Sequence, residues 1–309
     1  MVNDLIKTAV IHRTSTAAAK KKLRRFAKPY LMILPAMAGL AVFYLYPVFG
    51  LIRFSFFRYN ILNEAMSKFV GLQNYTRMFQ DADFYKVLIN TVIYTICVVV
   101  FTTVISMFLA IWLNKGSVVN KLVQAGLFTP HIISMVSVAL VWMWIMNPDQ
   151  GLLNAALRAA GLPTPLWLTS SQTALLSIII VSVWKSVGYY TLMLIAALQS
   201  IPTSILEAAQ LDNAKGFHLY FRIVLPLISP HLFFILVTMT IGSFKVFDMV
   251  QVMTGGGPDN ATNTLMYYLY QFRSTRVGYA SAVGVVIMAL IGLLTWCYFR
   301  SLSKRVYYQ

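Results

Sequence analysis

The segment from Val87 to Asn114 decides the fold, and it reads VLINTVIYTICVVVFTTVISMFLAIWLN. It contains no charged side chain, and it is longer than the roughly 20 apolar residues that a helix needs to cross the hydrocarbon core of a bilayer. A helix that is apolar all round is either buried in a large protein or surrounded by lipid. The segment therefore predicts a membrane-spanning helix.

Other segments repeat this pattern. Four more windows are free of charge, and a further one is interrupted only by Lys185. Together they predict six membrane-spanning helices, over Pro29–Ile52, Val87–Asn114, Leu122–Pro148, Ala174–Leu198, Ile223–Phe244 and Val277–Phe299. The predicted fold class is an all-α membrane protein with six transmembrane helices.

The composition agrees with this class. Of 309 residues, 59% are hydrophobic and only 11% are charged, whereas soluble domains carry about 25% charged residues. So few charges cannot cover a water-soluble fold. The net charge of +16 does not indicate a nucleic-acid partner, because the basic residues lie mainly in short gaps between the apolar windows. Such gaps are typical of membrane topology.

The distribution of Lys and Arg predicts the orientation. Fifteen basic residues fall on one side, including the cluster Lys20–Arg25, and this excess places both termini in the cytoplasm. The other side holds eight, namely Arg53, Arg58, Lys68, Arg77, Lys86, Arg158, Arg273 and Arg276. We expect a basic cytoplasmic tail at residues 1–28, in contact with anionic membrane lipids, and a six-helix domain at residues 29–309.

The loop between the fourth and fifth windows contains a predicted short helix. Pro202 disfavours helix at the residue before it and so ends the fourth span. Ser204 and Glu207 have the S-x-x-E spacing of a capping box, and good helix formers continue to Leu211. Asn213 can close the helix in the left-handed conformation. From the residues alone, the helix is either a connector over the span ends or a lever that takes up force from a soluble partner.

The same loop resembles a family motif. Glu207-Ala208-Ala209, three residues, Asn213, nine residues and Ile223-Val224-Leu225-Pro226 is similar to the EAA loop of ABC importer permeases. The family pattern is E-A-A, three residues, G, nine residues, I-x-L-P, and Asn213 is its one departure. Further elements resemble the carbohydrate-importer permeases of the maltose, lactose and glycerol-phosphate type: Phe69–Tyr75 (FVGLQNY), Trp142–Trp144 ahead of Gly151–Asn154, and Thr254–Pro258 (TGGGP), which is typical of the maltose-permease-like subunit.

The resemblance implies a type I importer in a bacterial or archaeal plasma membrane. Two homologous permeases would pair, two ATPase subunits would dock beneath them, and an extracellular binding protein would deliver the solute. The EAA loop, here residues 201–226, would fit a cleft of the ATPase. The residues expected to couple to the ATPase are Glu207, Ala208, Ala209, Asp212, Asn213 and Gly216.

The sequence contains no G-x-x-x-x-G-K-[ST] phosphate loop. We therefore expect a translocation subunit that is not itself an enzyme, with no catalytic residue, metal or cofactor of its own. ATP and Mg would be bound by the partner ATPase subunits.

The resemblance also implies a carbohydrate site on spans four and five. Positions that contact the solute in the maltose permease map to Ser182, Lys185, Ser186, Tyr189, Met239, Gly242 and Ser243. Nearby aromatic residues, such as Tyr190 and Phe247, suit the apolar faces of sugar rings, although aromatic and Ser residues also serve in helix packing. Lys185 either contacts the solute or pairs with a carboxylate. Lys245 and Asp248 lie near the interface, where snorkelling explains them.

Two functions of other classes remain as alternatives. A secondary transporter driven by an ion gradient needs intramembrane carboxylates or unwound helices, and Asp248 is the one acidic residue near a span. A membrane-embedded metalloenzyme has little support, because the His and Cys residues show no H-x-x-x-H or C-x-x-C spacing.

Overall fold

The computed structural model describes residues 29–60 and 66–302. The basic tail at residues 1–28 and its cluster Lys20–Arg25 lie outside the described residues, as do residues 303–309, so the orientation of the termini stays a prediction. The chain divides into two compact units, Met1–Phe54 and Ser55–Gln309. Helix α1, Pro29–Ser55, accounts for the described part of the first unit and contains one π-helical turn at Ala41–Leu45.

Within the described residues, the regular secondary structure of the second unit is helical apart from one short hairpin. The hairpin pairs β1 (Phe57–Arg58) with β2 (Lys68–Phe69) antiparallel. The helices are α2 (Gln73–Gln80), α3 (Ala82–Leu113), α4 (Val118–Ile132), α5 (Met135–Ile145), α6 (Leu152–Ala159), α7 (Ala174–Gln199), α8 (Thr203–Leu211), α9 (residues 216–227), α10 (Ser229–Phe244), α11 (Asp248–Met253), α12 (Leu265–Phe272) and α13 (Val277–Leu302).

Four of the described helices, α1, α3, α7 and α13, are long and apolar enough to cross a membrane by themselves. The other two predicted windows hold bent pairs. Helices α4 and α5 meet at 101°, and residues 220–227 meet α10 at 70°. The structure has six spans if each bent pair is one span. The all-α membrane fold is confirmed, but the expectation of one uninterrupted helix over Leu122–Pro148 and over Ile223–Phe244 is wrong.

Prolines account for both bends. Pro130 lies in the last turn of α4, where it removes a backbone donor and crowds the preceding turn, and the chain is extended at Ile133 before α5 begins. Pro230 lies in the first turn of α10, a position that suits proline because the missing N–H has no helical partner there. Counting apolar residues does not detect either break.

Hydrogen bonds define two ends of the second unit. Gln199 Nε2 donates to Asn114 Oδ1 at 3.2 Å, which brings the C-terminal ends of α7 and α3 together. Helix α8 follows at this end. At the other end, Asp81 Oδ2 accepts from the hydroxyls of Tyr268, at 2.8 Å, and Tyr279, at 3.2 Å. The starts of α3 and α13 therefore lie opposite α8.

Helix α7 is the central span of this unit. In its apolar window 61% of the residues are buried, against 33% in α3 and 44% in α13. It packs on α3, where Ser106 Oγ donates to the carbonyl of Val187 at 3.0 Å, and on α4, whose backbone meets Gly188. Side chains of α7 can therefore reach both the bend in the third span and an internal cavity.

Candidate functional sites: an internal cavity and a capped surface helix

A cavity of about 250 Å³ lies between α3, α5, α7, α10 and the segment after α10. It brings together most of the residues for which the sequence predicts solute contact. Five of the seven line it, namely Ser182, Ser186, Met239, Gly242 and Ser243. Lys185 and Tyr189 do not.

One wall of this cavity lies on α3, for which the sequence predicts no solute contact. Tyr94 of α3 lines it and donates a hydrogen bond to Ser182 Oγ at 2.9 Å. A polar residue recurs one turn before it, at Asn90, and this spacing is the signal that marks an inward face of α3. The cavity also includes Met135 of α5, which the structure brings there because the third span bends.

The segment after α10 closes the cavity with charged and aromatic side chains. Lys245, Phe247 and Asp248 all line it. The interpretation of Lys245 and Asp248 as snorkelling side chains alone is therefore incomplete. With the hydroxyls of Tyr94, Tyr190 and the serines, the lining combines hydrogen-bonding groups with apolar faces. This chemistry suits a solute that has many hydroxyl groups and a partly apolar surface.

Lys185 has partners that neither sequence-based alternative includes. Its Nζ donates to the backbone carbonyls of Pro130, at 2.8 Å, and Ile133, at 2.7 Å. These carbonyls belong to the end of α4, where the last groups of a helix have no partner within it and where a cation is favoured. Tyr189 lies beside the same bend and stacks on His131, with ring centroids 4.2 Å apart. Both side chains support the bend; their predicted contact with solute remains a prediction.

We expect Lys185→Met to destabilise the protein by about 1–3 kcal/mol, because the carbonyls at the end of α4 lose a charged donor. The measurement is the unfolding temperature of the purified protein in detergent. Lys245→Met is the matched control, since it removes an exposed lysine. Equal unfolding temperatures for the two variants would contradict a structural role for Lys185.

Helix α8 starts two residues earlier than the capping-box pattern predicts, since that pattern makes Ser204 the N-cap. Its first residue is Thr203, its N-cap is Pro202, and no side chain caps this end. Ile205 N–H donates to the carbonyl of Pro202 at 3.1 Å, so the helix begins directly after the proline. Ser204 then lies inside the first turn, where its hydroxyl cannot act as the cap. The predicted Ser204–Glu207 capping box is wrong.

The other end of α8 closes as predicted. Asn213 has a φ of 58°, the left-handed conformation. Its N–H donates to the carbonyl of Gln210 at 3.0 Å, and the N–H of Ala214 donates to the carbonyl of Ala209 at 2.9 Å. These two bonds form a Schellman motif, and Ala209 and Ala214 are both buried, as the motif's apolar contact requires.

The outward face of α8 combines an acidic and an apolar side chain. Glu207 is exposed, and Leu211, one turn later, is 89% exposed. Within the described part of the chain, no ion pair of Glu207 is present. Of the other residues expected to couple, Ala208, Asp212, Asn213 and Gly216 are exposed, and Ala209 is buried. A helix anchored on one side, with an exposed acid and an exposed leucine on the other, has the form of a docking element.

Comparison with known proteins gives consistent matches over most of the chain. The family described as "Binding-protein-dependent transport system inner membrane component" matches residues 102–308. The sn-glycerol-3-phosphate transport system permease protein UgpA of Yersinia pestis is 35% identical over 284 residues, which cover 91% of this chain and 96% of UgpA. The sulfoquinovosyl glycerol transport system permease protein SmoG of Agrobacterium fabrum is 31% identical, over 95% of this chain and 99% of SmoG.

A solved structure has the same fold. It is a bacterial ABC transporter involved in the import of the acidic polysaccharide alginate. One of its chains matches with a TM-score of 0.77 and 25% identity, over 91% of this chain and 98% of that one.

Proposed function

The chain belongs to the family of inner membrane components of binding-protein-dependent transport systems, and from that premise we propose that it is the translocating subunit of an ATP-driven importer for a carbohydrate or a sugar derivative. The observation that carries the proposal is α8, a capped helix at one end of the spans that exposes Glu207 and Leu211. It occupies the EAA loop, where this family would dock its ATPase.

Helix α8 is packed so that movement of its docking face reaches the cavity. Leu206 of α8 packs against a buried cluster that includes Leu198 of α7 and Met239 of α10. Met239 also lines the cavity. Because packed clusters change arrangement as units rather than deforming smoothly, ATPase motion at α8 would shift the wall of the cavity. This supports alternating access around a central site.

The cavity supports a carbohydrate as the solute. Hydroxyls of Tyr94, Ser182 and Ser243 can bond to sugar hydroxyls, while Met239 and Phe247 offer apolar surface to a sugar ring. The names of UgpA and SmoG refer to the transport of sn-glycerol-3-phosphate and sulfoquinovosyl glycerol, two polyhydroxylated compounds. A polyhydroxylated solute is the simplest explanation for the residues that line the cavity of this chain.

The complete assembly would contain a second homologous permease, two ATPase subunits that bind ATP and Mg, and an extracellular binding protein. Both termini would lie in the cytoplasm of a bacterial or archaeal cell, with residues 1–28 as a basic tail before the permease domain at 29–309. The side of the membrane that holds α8 would then be the cytoplasmic side.

The proposal is tested by reconstituting the chain with the proteins that co-purify with it. We expect an ATPase among them, and uptake of a labelled saccharide that requires ATP on the α8 side and the binding protein on the other. The saccharide is first chosen by thermal-shift screening of the co-purified binding protein. Uptake by the isolated chain under an ion gradient would show that it is a secondary transporter and not a subunit of an ATP-driven importer.

Gly242→Phe is expected to lower uptake at least about tenfold, which corresponds to 1.4 kcal/mol of binding. Gly242 lines the cavity, and an added Cβ there meets no atom within 4 Å, so the ring can enter open space. Uptake is measured in proteoliposomes at equal amounts of folded protein. Gly292→Phe, at another open position on α13 outside the lining, is the control. Unchanged uptake by Gly242→Phe would show that the solute does not pass through this cavity.

Asn213→Gly should preserve uptake, whereas Asn213→Val should lower it several-fold. Left-handed backbone costs a residue with a Cβ roughly 1–2 kcal/mol, glycine adopts it freely, and a β-branched side chain resists it most. The measurement compares the uptake rates of the two variants with that of the parent protein. Equal rates for both variants would show that the cap of α8 has no part in transport.

A further inference from the structure

A second cavity, of about 570 Å³, lies at the end of the spans opposite α8, where α3 and α13 begin. Three arginines line it, Arg58, Arg77 and Arg276, with Asp81 as the one acidic residue of the lining. No residue of the proposed transport path belongs to it. Its strongly basic lining calls for a separate explanation.

The arginines come from three different elements. Arg58 of β1 donates from Nη2 to Gln73 Oε1 at 3.2 Å. Arg77 lies one turn after Gln73 on α2, so both face the same side of that helix. Arg276 directly precedes α13. The fold therefore gathers guanidinium groups that are far apart in sequence around one opening.

Asp81 forms no ion pair with these groups. Its Oδ2 accepts from the hydroxyls of Tyr268 and Tyr279, and its Oδ1 accepts from the N–H of Asp83 at 3.0 Å. Burial raises the pKa of Tyr268, so this hydroxyl keeps its proton and remains a donor. Among the described residues, none of the three arginines forms an ion pair. Their charges are available to an anionic ligand.

Two features of the residues around this opening are unfavourable in the absence of a ligand. Arg58 lies directly opposite Lys68 in the hairpin register, and like charges at such a cross-strand position are destabilising. The predicted topology also places the three arginines on the side with the fewer basic residues, where Lys and Arg are less frequent in membrane proteins. A bound anion would offset both.

The neighbouring side chains indicate where the anion comes from. Phe69, Leu72 and Phe79 are 70%, 64% and 51% exposed around β2 and α2. The apolar window of the last span begins at Val277, immediately after Arg276, so the cavity lies at the level of the lipid headgroups. Exposed aromatic rings are typical of that level and unfavourable in water.

We propose that this cavity binds the phosphate of an anionic glycerophospholipid in the leaflet opposite α8. Arg58 and Arg77 hold the phosphate oxygens, because planar guanidinium groups pair with phosphate bidentately. Phe69, which is exposed and packs edge-to-face on the lining residue Phe57, contacts the acyl chains. The site requires only that the chain lies in a membrane, and it does not depend on the identity of the transported solute.

Native mass spectrometry of the full-length chain in detergent tests the site, with dioleoylphosphatidylglycerol and dioleoylphosphatidylcholine as the two probes. We expect one retained phosphatidylglycerol and much weaker retention of phosphatidylcholine, which has the same phosphate but a choline cation that the arginines repel. The double variant Arg58→Gln/Arg77→Gln should weaken retention more than tenfold, since each cation near an anionic lipid contributes about a factor of five. Arg58→Lys/Arg77→Lys, which keeps the charges but not the bidentate geometry, should fall between the parent protein and the glutamine variant.

The charge-matched control is Arg158→Gln/Arg273→Gln. These arginines lie outside the cavity lining, and each donates to a backbone carbonyl, of Asp149 and Tyr270 respectively. The control should bind phosphatidylglycerol as the parent protein does. Equal loss in both double variants, or equal binding of the two lipids, would overturn the proposal. It would also be overturned if the cavity variant keeps the lipid but no longer recruits the binding protein, because the arginines would then dock acidic side chains.

Discussion

Replacing Glu207 by arginine is expected to detach the ATPase and to reduce uptake at least about 100-fold. Glu207 is exposed on α8, and Leu211 beside it would enter the same cleft. If Glu207 pairs with a basic residue of the ATPase, Glu207→Arg juxtaposes like charges, which costs several kcal/mol at an interface. Each 1.4 kcal/mol is a factor of ten in the binding constant. The measurement is the amount of ATPase that co-purifies with each permease.

The matched control is Asp149→Arg, which reverses another exposed charge, in the loop between α5 and α6. This variant should keep its ATPase and its uptake. Glu207→Gln should fall between the parent protein and Glu207→Arg, because it removes the attraction without adding repulsion. An ATPase that stays bound to Glu207→Arg would mean that α8 is only a connector over the span ends.

Part of α8 could be predicted from its own residues and their immediate neighbours. Pro202 ends the fourth span, and a short helix then runs to Leu211 and closes at Asn213, because proline and left-handed caps act through the backbone of their nearest neighbours. The capping-box pattern predicts the start of the helix two residues late. An S-x-x-E pattern is compatible with several helix starts. In the structure the carbonyl of Pro202 accepts from the N–H of Ile205, and this bond sets the start at Thr203. The coupling role of Glu207 came from the family resemblance and stays a prediction.

The cavity was harder to predict from the sequence than α8. The family resemblance predicted that Ser182 and Ser243 belong to one site, but Tyr94 joins them only because α3 packs against α7. The partners of Lys185 were unpredictable for a similar reason. Carbonyls at Pro130 and Ile133 become available only where the third span bends, and window hydropathy carries no information about a bend.

Gly188 shows a further contact that a single sequence does not reveal. A Cβ at this position would lie 1.7 Å from the carbonyl oxygen of Leu127 and 2.3 Å from its carbon. Helices α7 and α4 therefore touch through their backbones. Glycine inside a helix lowers stability by roughly 1 kcal/mol relative to alanine. At this position the absence of a Cβ allows the two helix backbones to approach closely. It also holds α4 where Lys185 can reach the end of that helix.

Gly188→Ala is therefore expected to destabilise the protein by about 3 kcal/mol, the upper part of the usual range for overpacking, because backbone atoms cannot rotate away as a side chain can. Unfolding temperature in detergent and the yield of monodisperse protein are the measurements. Gly126→Ala is the control: it lies on α4 next to Leu127, and its added Cβ meets no atom within 4 Å. The control should be neutral or stabilising, since alanine favours helix. If both variants unfold at the same temperature, the backbone contact does not hold α4 against α7, and the position of the bend needs another cause.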